Sequence, residues 1–334
     1  MMNRFACLSA LAWALLPAGA VLPLAAQPAP QPQAPAADDA AWRQELAAWR
    51  AGREREVAAP DGWLTLVGME WLKPGFNSLG AAKDNQIQLR AQAPDHIGLL
   101  TVSGKTSAGK GAGGQAVPGN PIVQLLSAAG GFPPDLTVDG APAREGQLTV
   151  TNAKAPIIAW HGLTLAVLLR GERFALRIKD ADAPARARFR SLNWYAPDPR
   201  FRVTARWIPF DPPRTERIPT GLGSTLDLPT PGIAEFTLDG QTLRLAPVIE
   251  DPEGKTLFFI LRDTTSQSTT YAEARFLHTG LPDHGLGQPG TLILDFNRLE
   301  NPACAYTPYA NCPQPPELNR LPVALEAGEQ LYAR

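Results

Sequence analysis

The sequence predicts a mainly β protein carrying one N-terminal amphipathic helix, and three observations predict it. Proline and glycine are abundant, 34 and 29 of 334 residues, and such a load of helix breakers favours short strands joined by turns. Past Pro60, apolar and polar residues alternate at many places, the period of a half-buried strand. A clear helical period occurs only around Trp42. Hydrophobic residues make up 44% of the chain and charged residues 19%, enough apolar content to bury a core. Lys and Arg number 31 against 32 Asp and Glu, a formal charge of −1. The basic surplus of a nucleic-acid binder is missing, so no nucleic-acid partner is expected.

The elements follow in order. Residues 1–26 carry Arg4, an apolar run from Leu8 to Leu16, and small residues at Ala18-Gly19-Ala20 and Leu24-Ala25-Ala26. That is the layout of a secretory signal peptide. Pro17 and Pro23 interrupt a run already shorter than the ~20 residues of a spanning helix. A periplasmic or secreted protein is therefore expected, with no stable membrane insertion after cleavage. Residues 27–37, QPAPQPQAPAA, read as an extended tether. Over 38–60, Asp38 or Asp39 offers an N-cap and Trp42, Leu46 and Trp49 recur at i, i+4 and i+7. Arg43, Arg50, Arg53, Glu54, Arg55 and Glu56 are expected on the solvated face of this helix.

Alternation predicts strands at 85–89, 163–170, 173–179 and 201–207, and further strands at 235–238, 241–245, 257–261, 269–276, 291–296 and 321–326. Gly171-Glu172 and Asp239-Gly240 suit two-residue hairpin turns that need positive φ. Two β-rich domains are expected, 61–185 and 186–334, with Asp211-Pro212-Pro213 as another place for a boundary.

Several short motifs imitate catalytic ones. Gly104 to Gly111 nearly spells a phosphate-binding loop, but Gly111 stands where a magnesium-binding Ser or Thr is needed. Ser107-Ala108-Gly109-Lys110, Ser191-Leu192-Asn193 and His278-Thr279-Gly280 follow the order of penicillin-binding enzymes, yet Ser107 lies in a glycine-rich loop without a rigid support. The four histidines (His96, His161, His278, His284) are scattered and form no zinc pattern with cysteine. No cofactor and no metal is expected. Loss of Cys7 with the signal leaves Cys304 and Cys312 in CAYTPYANC, which an oxidising compartment pairs as a disulfide.

Two resemblances add to this reading. Phe76 to Leu100, with the later Leu136-Thr137-Val138-Asp139-Gly140, resembles a forkhead-associated β-sandwich. Ala81 replaces the arginine that such domains use for phosphothreonine, Pro94 stands near the serine position and Asp139 replaces an asparagine, so the resemblance implies the fold without phosphopeptide binding. The second rests on Gly62-Trp63-Leu64-Thr65-Leu66, Leu176 to Asp180, Arg262-Asp263-Thr264-Thr265, Thr270-Tyr271, the run Asp295 to Cys312, Asn319-Arg320-Leu321 and Glu326-Ala327-Gly328-Glu329. These resemble, from Trp42 onward, the bacterial and archaeal family catalogued as domain of unknown function 1684. Ala274 departs from its pattern, where a glycine usually precedes the arginine at 275. The fold expected is thus an N-terminal amphipathic helix, a forkhead-associated-like β-sandwich and a second β-rich sheet or barrel.

Arg177 and polar residues of the C-terminal third define the expected ligand site, the latter being Asp263, Tyr271, Arg275, Asp295, Asn297, Tyr306, Asn319 and Glu326. Mixed acid, amide and guanidinium groups at strand ends can hold a small polar ligand, with Arg177 and Arg275 as a clamp for carboxylate or phosphate. The function expected is an exported module that binds such a ligand or an envelope protein. The alternatives are a hydrolase with Asp295 or Glu326 as base and Arg275 and Asn297 as donors, and a structural envelope protein.

Overall fold

The computed structural model describes residues 39–103, 108–110, 116–118, 122–151, 154–170, 173–221, 223–251 and 253–333. The expected signal 1–26, the tether 27–37, the Gly171-Glu172 turn and Ser107 of the glycine-rich motif lie outside them.

The helix is α1 (Asp39–Val57), and Trp42, Leu46, Arg53 and Val57 are its buried residues. Arg53 corrects the expected solvated face: it stands eleven residues after Trp42, on the same stripe as Leu46 and Val57. A 3-10 turn, Trp63–Thr65, leads into β1 (Leu66–Trp71), β2 (Gly75–Gly80), β3 (Ile87–Gln88) and β4 (Gly98–Ser103). Next come β5 (Ala108–Lys110), β6 (Ala116–Pro118), β7 (Ile122–Leu126), β8 (Thr137–Val138), β9 (Ala141–Pro142) and β10 (Gly146–Leu148). Strands β11 (Ile157–Trp160), β12 (Leu163–Arg170) and β13 (Arg173–Asp180) precede a short helix, α2 (Pro184–Arg188). The C-terminal part holds β14 (Arg202–Pro219), β15 (Thr225–Leu238), β16 (Gln241–Leu245), β17 (Leu257–Leu261), β18 (Arg275–Thr279) and β19 (Gly290–Asp295).

The fold is mainly β. A six-stranded sheet in the order β1-β13-β12-β11-β8-β9 faces a five-stranded sheet in the order β10-β7-β4-β2-β3. Leu79, Leu100, Val123 and Leu125 of one sheet share a core with Ile158, Leu165, Val167, Phe174, Leu176 and Ile178 of the other. A second core gathers Trp207, Phe236, Phe259, Phe296 and Leu325 between the sheet β16-β15-β14-β19 and the hairpin β17-β18. The Asp239-Gly240 turn has φ values of 46° and 77° and joins β15 to β16 at Leu238↔Gln241, the two positive values that a type I′ turn requires. Asp211-Pro212-Pro213 is no break: it lies inside β14, where the ladder to β15 shifts register between Pro209 and Arg214. Proline lacks the ladder donor and is accommodated at such an irregularity.

Two expected strands are corrected. In 269–276 only the end is strand, because Asp263 caps a 3-10 turn at Thr264–Gln267 and β18 starts at Arg275. Residues 321–326 keep the alternation, with Leu321, Val323 and Leu325 buried and Pro322, Ala324 and Glu326 exposed. They form no ladder, since Pro322 has no N–H and Leu325 N–H bonds the Asp263 side chain.

Cys304 and Cys312 are joined by a disulfide with Cα atoms 6.2 Å apart. Replacing both by serine is expected to lower stability by about 2–3 kcal/mol in the chain-entropy account, read as an earlier midpoint in urea unfolding. Thiol titration of the denatured, unreduced protein finds neither cysteine free; two free thiols would show that the pair stays reduced.

Candidate functional site

The residues singled out in the C-terminal third occupy two different settings. Asp263 and Arg275 are wholly enclosed and paired at 2.9 Å. Arg275 also donates to the carbonyls of Leu325 at 2.8 Å and of Ala327. The other Asp263 oxygen accepts from Thr265 N–H and hydroxyl, at 2.9 and 2.6 Å, and from Leu325 N–H at 3.2 Å. A buried ion pair is tolerable only with such additional bonds. Here they continue the backbone bonds that Arg262 and Thr264 make to Asn319, Leu321 and Val323, and hold the C-terminal segment at Leu325 and Ala327.

Asn297 and Asn319 act as backbone surrogates. Asn297 accepts from Asp198 N–H and donates to Asp198 C=O, both at 2.9 Å. Asn319 does the same to Ala246, at 2.8 and 2.9 Å, and donates to Ile260 C=O as well. A side-chain amide offers the donor and acceptor of a peptide unit and satisfies groups that a strand would otherwise pair. Asp295 bonds Asn297 through one oxygen and receives Trp42 Nε1–H of α1 on the other at 2.8 Å. The remaining positions lie apart: Glu326 is exposed, Tyr271 is half-buried beyond the Thr264–Gln267 turn, and Arg177 stands on β13.

Beneath α1 lies a cluster of ionisable groups that spacing in sequence did not reveal. Arg53 is 6% exposed and pairs with Glu56 at 3.1 Å and Glu300 at 3.3 Å, and donates to Asn301 C=O at 3.0 Å. Glu329 is 1% exposed and accepts from Asn301 N–H at 3.0 Å, Asn301 Nδ2 at 2.8 Å and the Tyr306 hydroxyl. Burial pushes the Glu300 carboxyl up to about 7 despite Arg53 beside it. Burial likewise raises the Glu329 carboxyl and the Tyr306 hydroxyl. It works against the Arg53 charge, but Glu300, Tyr306 and Glu329 hold that guanidinium above its ordinary range. Glu329 takes the place expected for Glu326: Gly328, at φ 75°, turns the chain so that the last residue of Glu-Ala-Gly-Glu enters the interior. A Cβ at Gly328 would meet the Leu299 carbonyl oxygen at 2.5 Å.

Next to this cluster a cleft of about 210 Å³ opens between α1 and the ends of β14, β18 and β19. Trp42, Glu45, Arg202, His278, Asp295 and Arg298 line it. Asp295 is thus the member of the expected Asp295, Glu326 and Arg275 trio that reaches the cleft. Arg298 approaches Asp295 and Glu45, each at 3.7 Å, while its Nε–H is buried without a hydrogen-bond partner. Arg202 faces no carboxylate among the ion pairs of the described residues. His278 stacks flat on Phe258 with centroids 4.6 Å apart and sets Nδ1 3.6 Å from Glu300. Burial, and Arg53 behind it, lower the His278 pKa. The cleft offers two guanidinium groups and an imidazole, with Glu45 and Asp295 on the same wall, and an anion bound there would compete with those carboxylates for Arg298.

A second cleft, of about 630 Å³, is lined by Ser78, Asn85, Pro94, Asp95, His96 and the 128–134 loop. It has no Arg or Lys on its wall and so no cationic donor. Among the described residues no three His, Cys, Asp or Glu side chains gather as metal ligands.

Arg275→Lys keeps the charge but loses the planar fork, and is expected to cost about 3–5 kcal/mol, as for a broken buried pair; chemical unfolding measures it. The raised Glu300 pKa means that the folded state keeps a proton the unfolded chain has released. Its effect is stability that falls as pH rises from about 4.5 to about 7. Glu300→Gln is expected to flatten that slope and raise the melting temperature at pH 8; an unchanged pH profile would show that Glu300 ionises normally.

No curated protein matches the chain. The solution NMR structure of the uncharacterized protein from gene locus rrnAC0354 of Haloarcula marismortui is 32% identical, over 44% of this chain and 79% of that one, at a TM-score of 0.38. Residues 187–330 match the family described as protein of unknown function (DUF1684), a narrower span than the resemblance read from Trp42 onward. That span holds the Asp263–Arg275 pair, both asparagine surrogates and Glu329, and the chain belongs to the DUF1684 family.

Proposed function

We propose that this protein is an exported, periplasmic or secreted, β-rich module that binds a small carboxylate- or phosphate-bearing ligand in the cleft beneath α1. The observation that carries the reading is the convergence of Arg202 and Arg298 on one cleft, where Arg202 makes no ion pair among the described residues and Arg298 meets Asp295 and Glu45 only at 3.7 Å, beyond hydrogen-bond distance. Two guanidinium forks grip a planar or tetrahedral anion bidentately, and Trp42 and Ile293 supply apolar wall. Export is supported by the secretory pattern of residues 1–26 and by the disulfide. No helix of the described residues is long and apolar enough to cross a membrane.

Hydrolysis is a second reading, and it rests on a different pair from Asp295 and Glu326. Glu300, with its carboxyl pushed up to about 7, stands 3.6 Å from His278 on the cleft wall. A proton-transfer pair works best near the operating pH.

A thermal-shift screen of the oxidised protein against dicarboxylates, phosphate esters, sugars and peptidoglycan fragments tests the binding reading. An anion is expected to raise the melting temperature, and Arg202→Ala and Arg298→Ala are expected to remove that shift without lowering the ligand-free melting temperature. A screen in which nothing shifts the wild type would sink it. Turnover of an ester, phosphoester or glycoside that Glu300→Gln abolishes would establish the hydrolytic reading.

A further inference from the structure

In the sandwich, the turn from β1 to β2 carries an exposed aromatic on each flank. Trp71 ends β1 at 36% exposure and Phe76 opens β2 at 65%. Such side chains are normally buried, and two on one turn call for a reason. The turn is held from within: buried Asn77 accepts from Lys73 N–H at 2.8 Å and donates to Lys73 C=O at 2.9 Å and to Leu100 C=O at 3.1 Å. The tip is therefore a rigid feature of the fold that presents Trp71, Lys73 and Phe76 outward.

Cations crowd beside it. In the register of the six-stranded sheet, Arg170 pairs with Arg173, Trp71 with Ala175 and Met69 with Arg177, which places these residues on one outer face. The Arg173 guanidinium lies 4.1 Å from the Trp71 ring centroid. Arg177 Nε is buried without a hydrogen-bond partner. Burial, and to a lesser extent the neighbouring Arg170, lower the Arg177 pKa. Arg170, Arg173 and Arg177 appear in no ion pair with a carboxylate among the described residues, and Glu70 alternates to the other face of β1, opposite Leu176.

We propose that this tip docks peripherally on an anionic lipid surface, with Trp71 and Phe76 at headgroup depth and Lys73, Arg170, Arg173 and Arg177 against lipid phosphates. The placement favours a lipid surface over a soluble ligand. Trp71 lies on the outside of one sheet and Phe76 on the outside of the other, so the tip is convex and flanked by aromatics instead of lining a groove. Amphipathic rings with adjacent Lys and Arg form the interfacial pattern of bilayer-contacting proteins, and charge complementarity to anionic headgroups supplies attraction over a Debye length. The contact involves no spanning segment. It would hold the ligand cleft near the envelope surface, but it does not depend on what the cleft binds.

Co-sedimentation of the purified protein with phosphatidylcholine vesicles, with and without phosphatidylglycerol, tests this. Binding is expected only to the phosphatidylglycerol vesicles, and high salt is expected to release it. Phe76→Ser and Arg173→Gln are each expected to weaken binding about fivefold or more, with unchanged melting temperatures because both side chains are exposed. Equal binding to both vesicle types, variants that bind as the wild type does, or recovery on peptidoglycan or a free polyanion but not on vesicles would each overturn the proposal.

Discussion

The Arg275 guanidinium is the contact on which the C-terminal half depends. It sits in a solvent-free site, shared between Asp263 and the carbonyls of Leu325 and Ala327. A segment that alternates like a strand but lacks a strand neighbour must satisfy its backbone groups some other way. Here the backbone of Arg262 and Thr264 pairs with Asn319, Leu321 and Val323, one cation and one carboxylate satisfy the groups at Leu325 and Ala327, and the chain beyond is delivered to the interior. Release of that segment would withdraw Glu329 from Asn301 and Tyr306. Arg53 would then lose part of the charge that holds it, and α1 would lose a polar tie to the body.

That dependence explains why the polar residues of the C-terminal third are so varied. Asn297 and Asn319 stand in for peptide groups, Asp263 for a turn cap and strand partner, and Glu329 for a receptor of three donors. Each is costly to bury alone and inexpensive once its partners are fixed. The same scaffold sets the cleft. Trp42 reaches Asp295 across 253 residues of sequence, so helix, β18 and β19 meet at one place and bring Arg202, His278 and Arg298 together. The cleft-facing groups therefore lie beside the signature residues, while most of the signature serves to hold the walls.

Much of the fold was legible in the residues. Period-two alternation located β13, β16 and β19, because one face of each is more deeply buried and the pattern records which, while the apolar runs marked β12 and β17. Asp239-Gly240 marked its turn, since few residue types adopt two positive φ values in succession. The misreadings share a cause. Arg53 and Glu329 were assigned to water or passed over because charge is a prior for exposure, and only their partners reverse that. Glu326 was favoured over Glu329 because side-chain direction there depends on the left-handed turn at Gly328. The strand expected at 321–326 had the right faces but no ladder, which alternation alone does not report.

By itself, the sequence determined the mainly β class, the helix around Trp42, the pairing of Cys304 with Cys312 and the family signature. These follow from local periodicity, turn chemistry and cysteine count, all properties of neighbouring residues. Only the tertiary structure decided which polar groups are buried in the scaffold and which face the cleft. It buried Arg275 and Glu329, opened a cleft at Arg202 and Arg298, and set Trp71 and Phe76 on an exposed tip. The physical reason is that the cost of burying a charge depends on what stands within hydrogen-bonding distance, and those partners come from segments far apart in the chain.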